Sequence, residues 1–208
     1  DSSTSRGLGD VYKRQNSRLC MSSAVAAHKR AFGEDLVPAS YSDFEHTDMV
    51  VLVGSNTAWC HPVLYQRIMK AKEERDLFVV VIDPRFTATC EAADLHLPIL
   101  PGQDVALFNG LLQYLATNHY TDTDFIAKHT QGLEQALASS ASEASIASVS
   151  ERTGISVEKL ALFFEKFAQT EKVMSLFSMG VNQSSRGVDK ANSITNCHLL
   201  TGKIGKLG

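Results

Sequence analysis

The chain is poor in the features that would place it quickly. It has four cysteines, Cys20, Cys60, Cys90 and Cys197, and no two stand as a Cys-x-x-Cys pair. A local zinc or iron–sulfur cradle is therefore absent from the sequence. Sparse, widely spaced cysteines suit a reducing compartment rather than a disulfide framework. No apolar run approaches the roughly 20 residues that a membrane-spanning helix needs. The apolar stretches at 49–53 and 77–82 are far shorter and read as buried strands. Basic excess is missing too: 20 Lys and Arg against 23 Asp and Glu give a formal charge of −3. Nucleic acid or an anionic membrane surface thus has no electrostatic claim as a partner. Two phosphate-binding signatures are also lacking, Gly-x-Gly-x-x-Gly and Gly-x-x-x-x-Gly-Lys-Ser/Thr, which disfavours a nicotinamide dinucleotide and a P-loop nucleotidase.

What remains is an ordinary globular composition, 44% hydrophobic and 21% charged over 208 residues. That length supports one sizeable core. Residues 1–15, DSSTSRGLGDVYKRQ, show no hydrophobic periodicity and no apolar core of a secretory signal. They resemble translated adapter or linker sequence, so the domain is expected to occupy 16–208.

From there the patterns alternate. A helix is predicted from Cys20 to Gly33, with Lys29 and Arg30 in its last turn. A turn with Pro38 follows, then a short helical turn capped by Ser42 and Asp43. Strands are predicted at 49–54 and 77–82 around an amphipathic helix that Pro62 opens. Strand, helix, strand is the unit of a parallel sheet, and strands apolar throughout belong in one covered on both faces. A third short strand is expected at 95–100, then a helix from Asp104 to about Thr117. The Ala- and Ser-rich stretch 136–150 reads as a loosely packed helix or surface insertion. A clear amphipathic helix follows at 157–168, a buried strand at 172–179 and a helix at 189–201 ended by Gly202. The expected class is α/β with a doubly wound, mainly parallel sheet.

In open α/β sheets a ligand binds beyond the carboxyl ends of the strands. Four polar clusters fall there: Gly54-Ser55-Asn56, Asp83-Pro84-Arg85, Pro101-Gly102-Gln103-Asp104 and Gly180-Val181-Asn182-Gln183. Each taken singly is an ordinary turn or cap. All four on one rim predict a nucleotide-like ligand. Asp83 could accept from ribose hydroxyls, and Asp104 from the adjacent N–H groups of a guanine edge, or simply cap its helix. Cys20 precedes a helix, where free backbone N–H groups favour thiolate, a good ligand for a soft metal; a small core cysteine is the plainer alternative. His61 and His198 read as packing residues, Trp59 and Cys60 either line the site or pack under it, and Lys203 and Lys206 read as a solvated end.

The run Asn16-Ser17-Arg18-Leu19-Cys20-Met21-Ser22-Ser23-Ala24-Val25 resembles the metal-binding cysteine segment of nitrate reductases in the molybdopterin (dimethyl-sulfoxide-reductase-like) superfamily. Gly54-Ser55-Asn56 with His61-Pro62 resembles the family's Gly-Ser-Asn loop, and Asp83-Pro84-Arg85 with Thr87 and Pro101-Gly102-Gln103-Asp104 resemble its guanosine-binding turns. Met179 to Gln183 with Gly187, and Leu199-Leu200-Thr201-Gly202, complete the set in order. The resemblance implies a bis-molybdopterin guanine dinucleotide cofactor with molybdenum, reducing nitrate to nitrite by oxygen-atom transfer. It implies that Cys20 coordinates the metal, with Met21 beside it and Asn16 next to the cofactor. Gly54, Ser55, Asn56, Asp83, Arg85, Gly102 and Asp104 would hold one guanine dinucleotide arm. Met179, Gly180, Asn182 and Gln183 would face the pterin.

Cysteine rather than serine or aspartate at the metal position, and methionine rather than histidine after it, favour nitrate over other substrates. The run Ala58-Trp59-Cys60-His61-Pro62 resembles the assimilatory type, which implies a cytoplasmic setting and an electron-donor protein as partner. Phe86 departs from the second arginine usual after Asp-Pro-Arg, and Leu207 from a usual proline. The resemblance also places a four-iron four-sulfur cluster in a domain beyond this chain, so the chain alone is expected to be inactive. Formate oxidation within the same superfamily and a metal-free nucleotide-binding α/β module are the competing expectations.

Overall fold

The computed structural model describes residues 21–208. Four strands form one sheet in the order β3-β2-β1-β4, with β1 at Met49–Val53, β2 at Phe78–Ile82, β3 at Leu95–Leu97 and β4 at Val173–Phe177. Every pairing is parallel, with Met49 opposite both Phe78 and Val173. The α/β doubly wound parallel fold expected from the sequence is present. Val and Ile dominate β1 and β2 because both faces of these strands are covered, leaving no polar position in either.

Side chains alternate between two cores. Val51, Val53, Val80 and Ile82 pack on one face with Leu107, Phe108, Phe163, Phe164 and Ile194. Val50, Leu52, Val79 and Val81 pack on the other with Ile68, Ala71 and Phe44. The first face is covered by α4 (Asp104–Thr117), α8 (Val157–Gln169) and α10 (Gly187–Leu200). The second face carries α3 (Pro62–Arg75) and a 3-10 turn at Tyr41–Glu45. Between them along the chain come α1 (Ser22–Phe32), α2 (Thr57–Cys60), α5 (Thr123–His129), α6 (Leu133–Ser139), α7 (Ile146–Thr153) and α9 (Met179–Asn182).

This arrangement follows from the connections. From β1 the chain steps outward through α3 to β2 and on to β3. It then returns over the opposite face and enters β4 on the far side of β1. Right-handed crossovers in opposite directions must use opposite faces. The strand order therefore reverses between β1 and β4, which opens a crevice at their carboxyl ends.

Local signals set the ends of several elements. Gly33 terminates α1 in the left-handed conformation, its N–H donating to Lys29 O. Pro62 opens α3, and Ser145 and Ser156 cap α7 and α8 through their hydroxyls. Three expectations need correction. The third strand ends at Leu97, because Leu100 turns away and donates its N–H to Thr153 O. The turn before β1 is capped by Ser40, not Ser42: Asp43 Oδ2 accepts from Ser40 N at 2.6 Å. Lys203 is no solvated end, since its ammonium lies 4.9 Å above the Phe167 ring and donates to Phe167 O and Ala168 O. Lys206 is exposed and faces Asp122 at 3.9 Å. Among the described residues no helix is long and apolar enough to cross a membrane.

Candidate functional site

Because all four strands run parallel, the four polar clusters lie along one edge of the sheet. The structure joins them directly rather than leaving them as separate turns.

The closest junction lies at the switch point. Gly54, at φ +55, follows β1, and Gly180 follows β4. Gly180 N donates to Gly54 O at 3.0 Å, and Gly54 N donates to Ile82 O at 2.8 Å. A Cβ on Gly180 would stand 2.7 Å from Gly54 Cα, and one on Gly54 would stand 2.8 Å from Gly180 Cα. Only two glycines allow the β1 and β4 loops to close this tightly.

Beside that junction, Asn182 is buried, and among the described residues neither its Oδ1 nor its Nδ2 has a hydrogen-bond partner. Its backbone carbonyl accepts from Ser23 Oγ at 2.8 Å, which brings the start of α1 to the crevice. An unpaired buried amide costs about 1–3 kcal/mol per group, so such atoms usually await a partner.

The other clusters are ordered by side chains. Asp83 is buried, and its Oδ1 accepts from Arg85 N at 2.9 Å, with the largely exposed Arg85 side chain placing its Nε 3.6 Å from the same oxygen. His96 Nε2 donates to Asp83 O at 2.9 Å, and Phe86 lies edge-on to the His96 ring. Ser55 and Thr57 share a buried hydroxyl contact at 2.9 Å. Thr89, fully buried, donates to Asn56 Oδ1 at 2.9 Å and accepts from Ala58 N at 3.1 Å. After β3, Gly102 sits at φ +86 with open space where a Cβ would be. Asp104 is buried at the start of α4, and its Oδ2 pairs with Lys190 Nζ at 2.7 Å. Lys190 also donates to Gly180 O at 3.3 Å.

Among the residues expected at the site, Gly54, Ser55, Asn56, Asp83, Gly102, Asp104, Gly180 and Asn182 therefore fall on one rim. Met179 opens the short helix α9 that ends at Asn182, and Gln183 follows it directly. Met21 is partly exposed at the start of α1 and lines a cavity of about 500 Å³ with Ser55, Thr57, Phe177 and Ser178. Asn16 and Cys20, and the segment 1–15, lie outside the described residues. Trp59 and Cys60 are exposed, so neither packs beneath the loop. His61 is exposed as well. Among the described residues, no three His, Cys, Asp or Glu side chains gather as a metal site.

His198 is buried and does serve packing. Its Nδ1 donates to Lys203 O at 3.1 Å, which leaves Nε2 to accept from Ser175 Oγ at 2.8 Å. Burial pushes its pKa down to about 4, against a smaller raising effect of the Lys203 carbonyl. Burial likewise pushes Lys203 down to about 8, and raises the Cys197 thiol, so Cys197 is an inert core group.

Two rim residues were not singled out in the sequence, Thr89 and Lys190. Thr89 sits seven residues past the end of β2 and Lys190 in the first turn of α10. Neither position carries a local signal; their partners are fixed by the fold.

A parallel α/β sheet with a glycine-lined crevice at its switch point is the doubly wound class, in which ligands bind outside the carboxyl ends of the strands. The chain belongs to the molybdopterin oxidoreductase family, whose model matches residues 6–208. It is 50% identical over 194 residues to a nitrate reductase of Shewanella frigidimarina, covering 93% of this chain and 21% of that protein. It is 37% identical over 201 residues to the assimilatory nitrate reductase catalytic subunit of Bacillus subtilis, covering 96% of this chain and 28% of that one. A formate dehydrogenase alpha subunit of Methanococcus maripaludis is 33% identical over 191 residues. Acetylene hydratase from Pelobacter acetylenicus superposes with a TM-score of 0.75 at 21% identity, covering 86% of this chain and 24% of that chain. That likeness speaks for the fold. The chain spans between a fifth and under a third of the curated relatives named here.

Proposed function

We propose that this chain is the guanine dinucleotide-binding α/β part, residues 16–208, of a cytoplasmic molybdenum enzyme that reduces nitrate to nitrite for assimilation. The observation that carries the reading is the crevice itself, where the β1 and β4 loops close glycine on glycine beside the unpaired amide of Asn182. A planar, polar ligand would supply the missing partners of that amide, and a pterin offers both donors and acceptors. The residues present fit the group. Gly54, Ser55, Asn56, Asp83, Arg85, Gly102 and Asp104 would hold one guanine dinucleotide arm. Open space over Gly102 admits a close approach, and the solvent-facing Arg85 guanidinium can meet a phosphate. Met179, Gly180, Asn182 and Gln183 would face the pterin, with Asn16 beside it. The Cys20 thiolate would bind the molybdenum, next to Met21, which lines the cavity.

The bound cofactor supplies the two-electron oxygen-atom transfer, while the protein orients it and controls access. Electrons would arrive from a donor protein through an iron–sulfur cluster of the full-length enzyme. Nitrate is favoured by the identity to nitrate reductases. Formate oxidation is the second reading, favoured by the formate dehydrogenase relative.

The test uses the full-length protein that contains this chain. Purified enzyme with a reduced dye should form nitrite from nitrate and should not reduce an oxidised dye with formate. The reverse result would select the formate reading. Cys20→Ala should abolish nitrite formation while the unfolding midpoint stays at the wild-type value. Undiminished turnover in that variant would point instead to a nucleotide-binding module without the metal.

A further inference from the structure

Lys190 has a position that the core does not need. Lysines are almost never fully buried unless paired, and this one is buried at the ligand end of the sheet rather than in either core. Its ammonium reaches two elements at once. It holds Asp104 Oδ2 at 2.7 Å, at the turn after β3, and Gly180 O at 3.3 Å, in the loop after β4. Gly180 is wedged in turn against Gly54, after β1. One side chain thus ties two strand-end segments together, and the second of them is packed against a third.

A buried ion pair is a poor device for stability alone. Apolar residues of similar volume often serve as well or better, because they avoid desolvating two charges. A charge pair retained at a rim fixes geometry instead.

We propose that Lys190 is a positioning residue for the nucleotide arm: it sets the separation between the Asp104 turn and the Gly180 loop, and so the span over which one guanosine-bearing arm is gripped. The inference rests on the reading of the crevice as a guanine dinucleotide site.

The test is Lys190→Met in the full-length protein, with Lys190→Arg as the charge-conserving control. Guanosine monophosphate released by acid hydrolysis, per mole of folded protein, measures cofactor retention. Amide hydrogen exchange over residues 178–183 in cofactor-free protein measures the tether without any activity. K190M should lose about ten-fold in nucleotide retention after gel filtration, the scale seen when a supporting contact to a bound group is removed. Exchange over 178–183 should quicken while exchange in β1 and β2 stays unchanged, and K190R should recover part of both.

Wild-type nucleotide content and unchanged exchange in K190M would overturn the proposal. So would a loss of nucleotide matched by an equal loss of folded protein with uniform exchange. Should K190M fail to fold, Lys190→Gln, which keeps a donor without the charge, is read in the same way. If folded wild-type protein itself releases no guanosine monophosphate, the crevice reading fails and the positioning role falls with it. Nucleotide in the wild type but equal nucleotide in K190M removes the positioning role alone.

Discussion

Thr89 shows how one buried hydroxyl can set the orientation of a site residue. It donates to Asn56 Oδ1 and accepts from Ala58 N, so the Asn56 amide is held with its oxygen inward. Under the proposed reading, the amide nitrogen is the end of Asn56 turned to the ligand. Thr89→Val keeps the volume but strips both bonds, and should lower unfolding free energy by about 1–2 kcal/mol because two polar groups lose their partner. Thr89→Ser should keep most of the stability. Chemical denaturation of the three proteins measures this, and a Val variant as stable as wild type would show that water replaces the hydroxyl at no cost. The rim residues that the sequence announced most plainly, Gly54 and Asp83, are those that follow a strand directly. Thr89 and Lys190 reach the same rim from elsewhere in the chain, and only the packed fold brings them there.

At the scale of elements, the regular ones were legible and the return path between β3 and β4 was not. β1, α3, β2, α4 and α8 fall close to the boundaries their apolar patterns predict. The segment between α4 and α8 breaks instead into α5, α6, a 3-10 turn and α7. Its short helices are too small for a clear periodicity, and their positions depend on what they cover. The contact between α4 and α7 illustrates this. Gly110 is buried in α4, and a Cβ there would stand 2.3 Å from Val149 Cγ2 of α7. Glycine normally costs a helix interior about 1 kcal/mol relative to alanine. Here the close approach outweighs it, since overpacking costs about 1–3 kcal/mol. Gly110→Ala should therefore destabilise the protein despite its better helix propensity. Val149→Ala in the same chain should return part of that loss, with the double variant more stable than the sum of the single effects predicts. Strict additivity in thermal unfolding would mean that the two helices do not meet as described.

For the molecule as a whole, the link that ties the sheet to its last helix is a titrating one. His198 of α10 accepts from Ser175 of β4 and donates to Lys203 O, and the Lys203 ammonium in turn holds the last carbonyls of α8. Burial lowers the His198 pKa from 6.5 to about 4 in the folded state. The unfolded chain therefore takes up the proton first as pH falls. The contribution of neutral His198 is complete above its unfolded value and is lost progressively as pH falls from about 6.5 towards about 4. A shift of this size corresponds to roughly 3 kcal/mol, at 1.36 kcal/mol per unit, and solvent screens little of it because the ring is buried. Protonation would also turn Nε2 from an acceptor into a donor facing Ser175, whose hydroxyl must then reverse. Since β4 forms one wall of the crevice, acid should loosen that wall as well as the fold. His198→Gln should be less stable than wild type at neutral pH, yet lose less stability across the same acid window, so the two stability curves converge as pH falls. Urea unfolding at a series of pH values tests this. Parallel curves would assign the acid sensitivity to carboxylates elsewhere and leave His198 a packing residue alone.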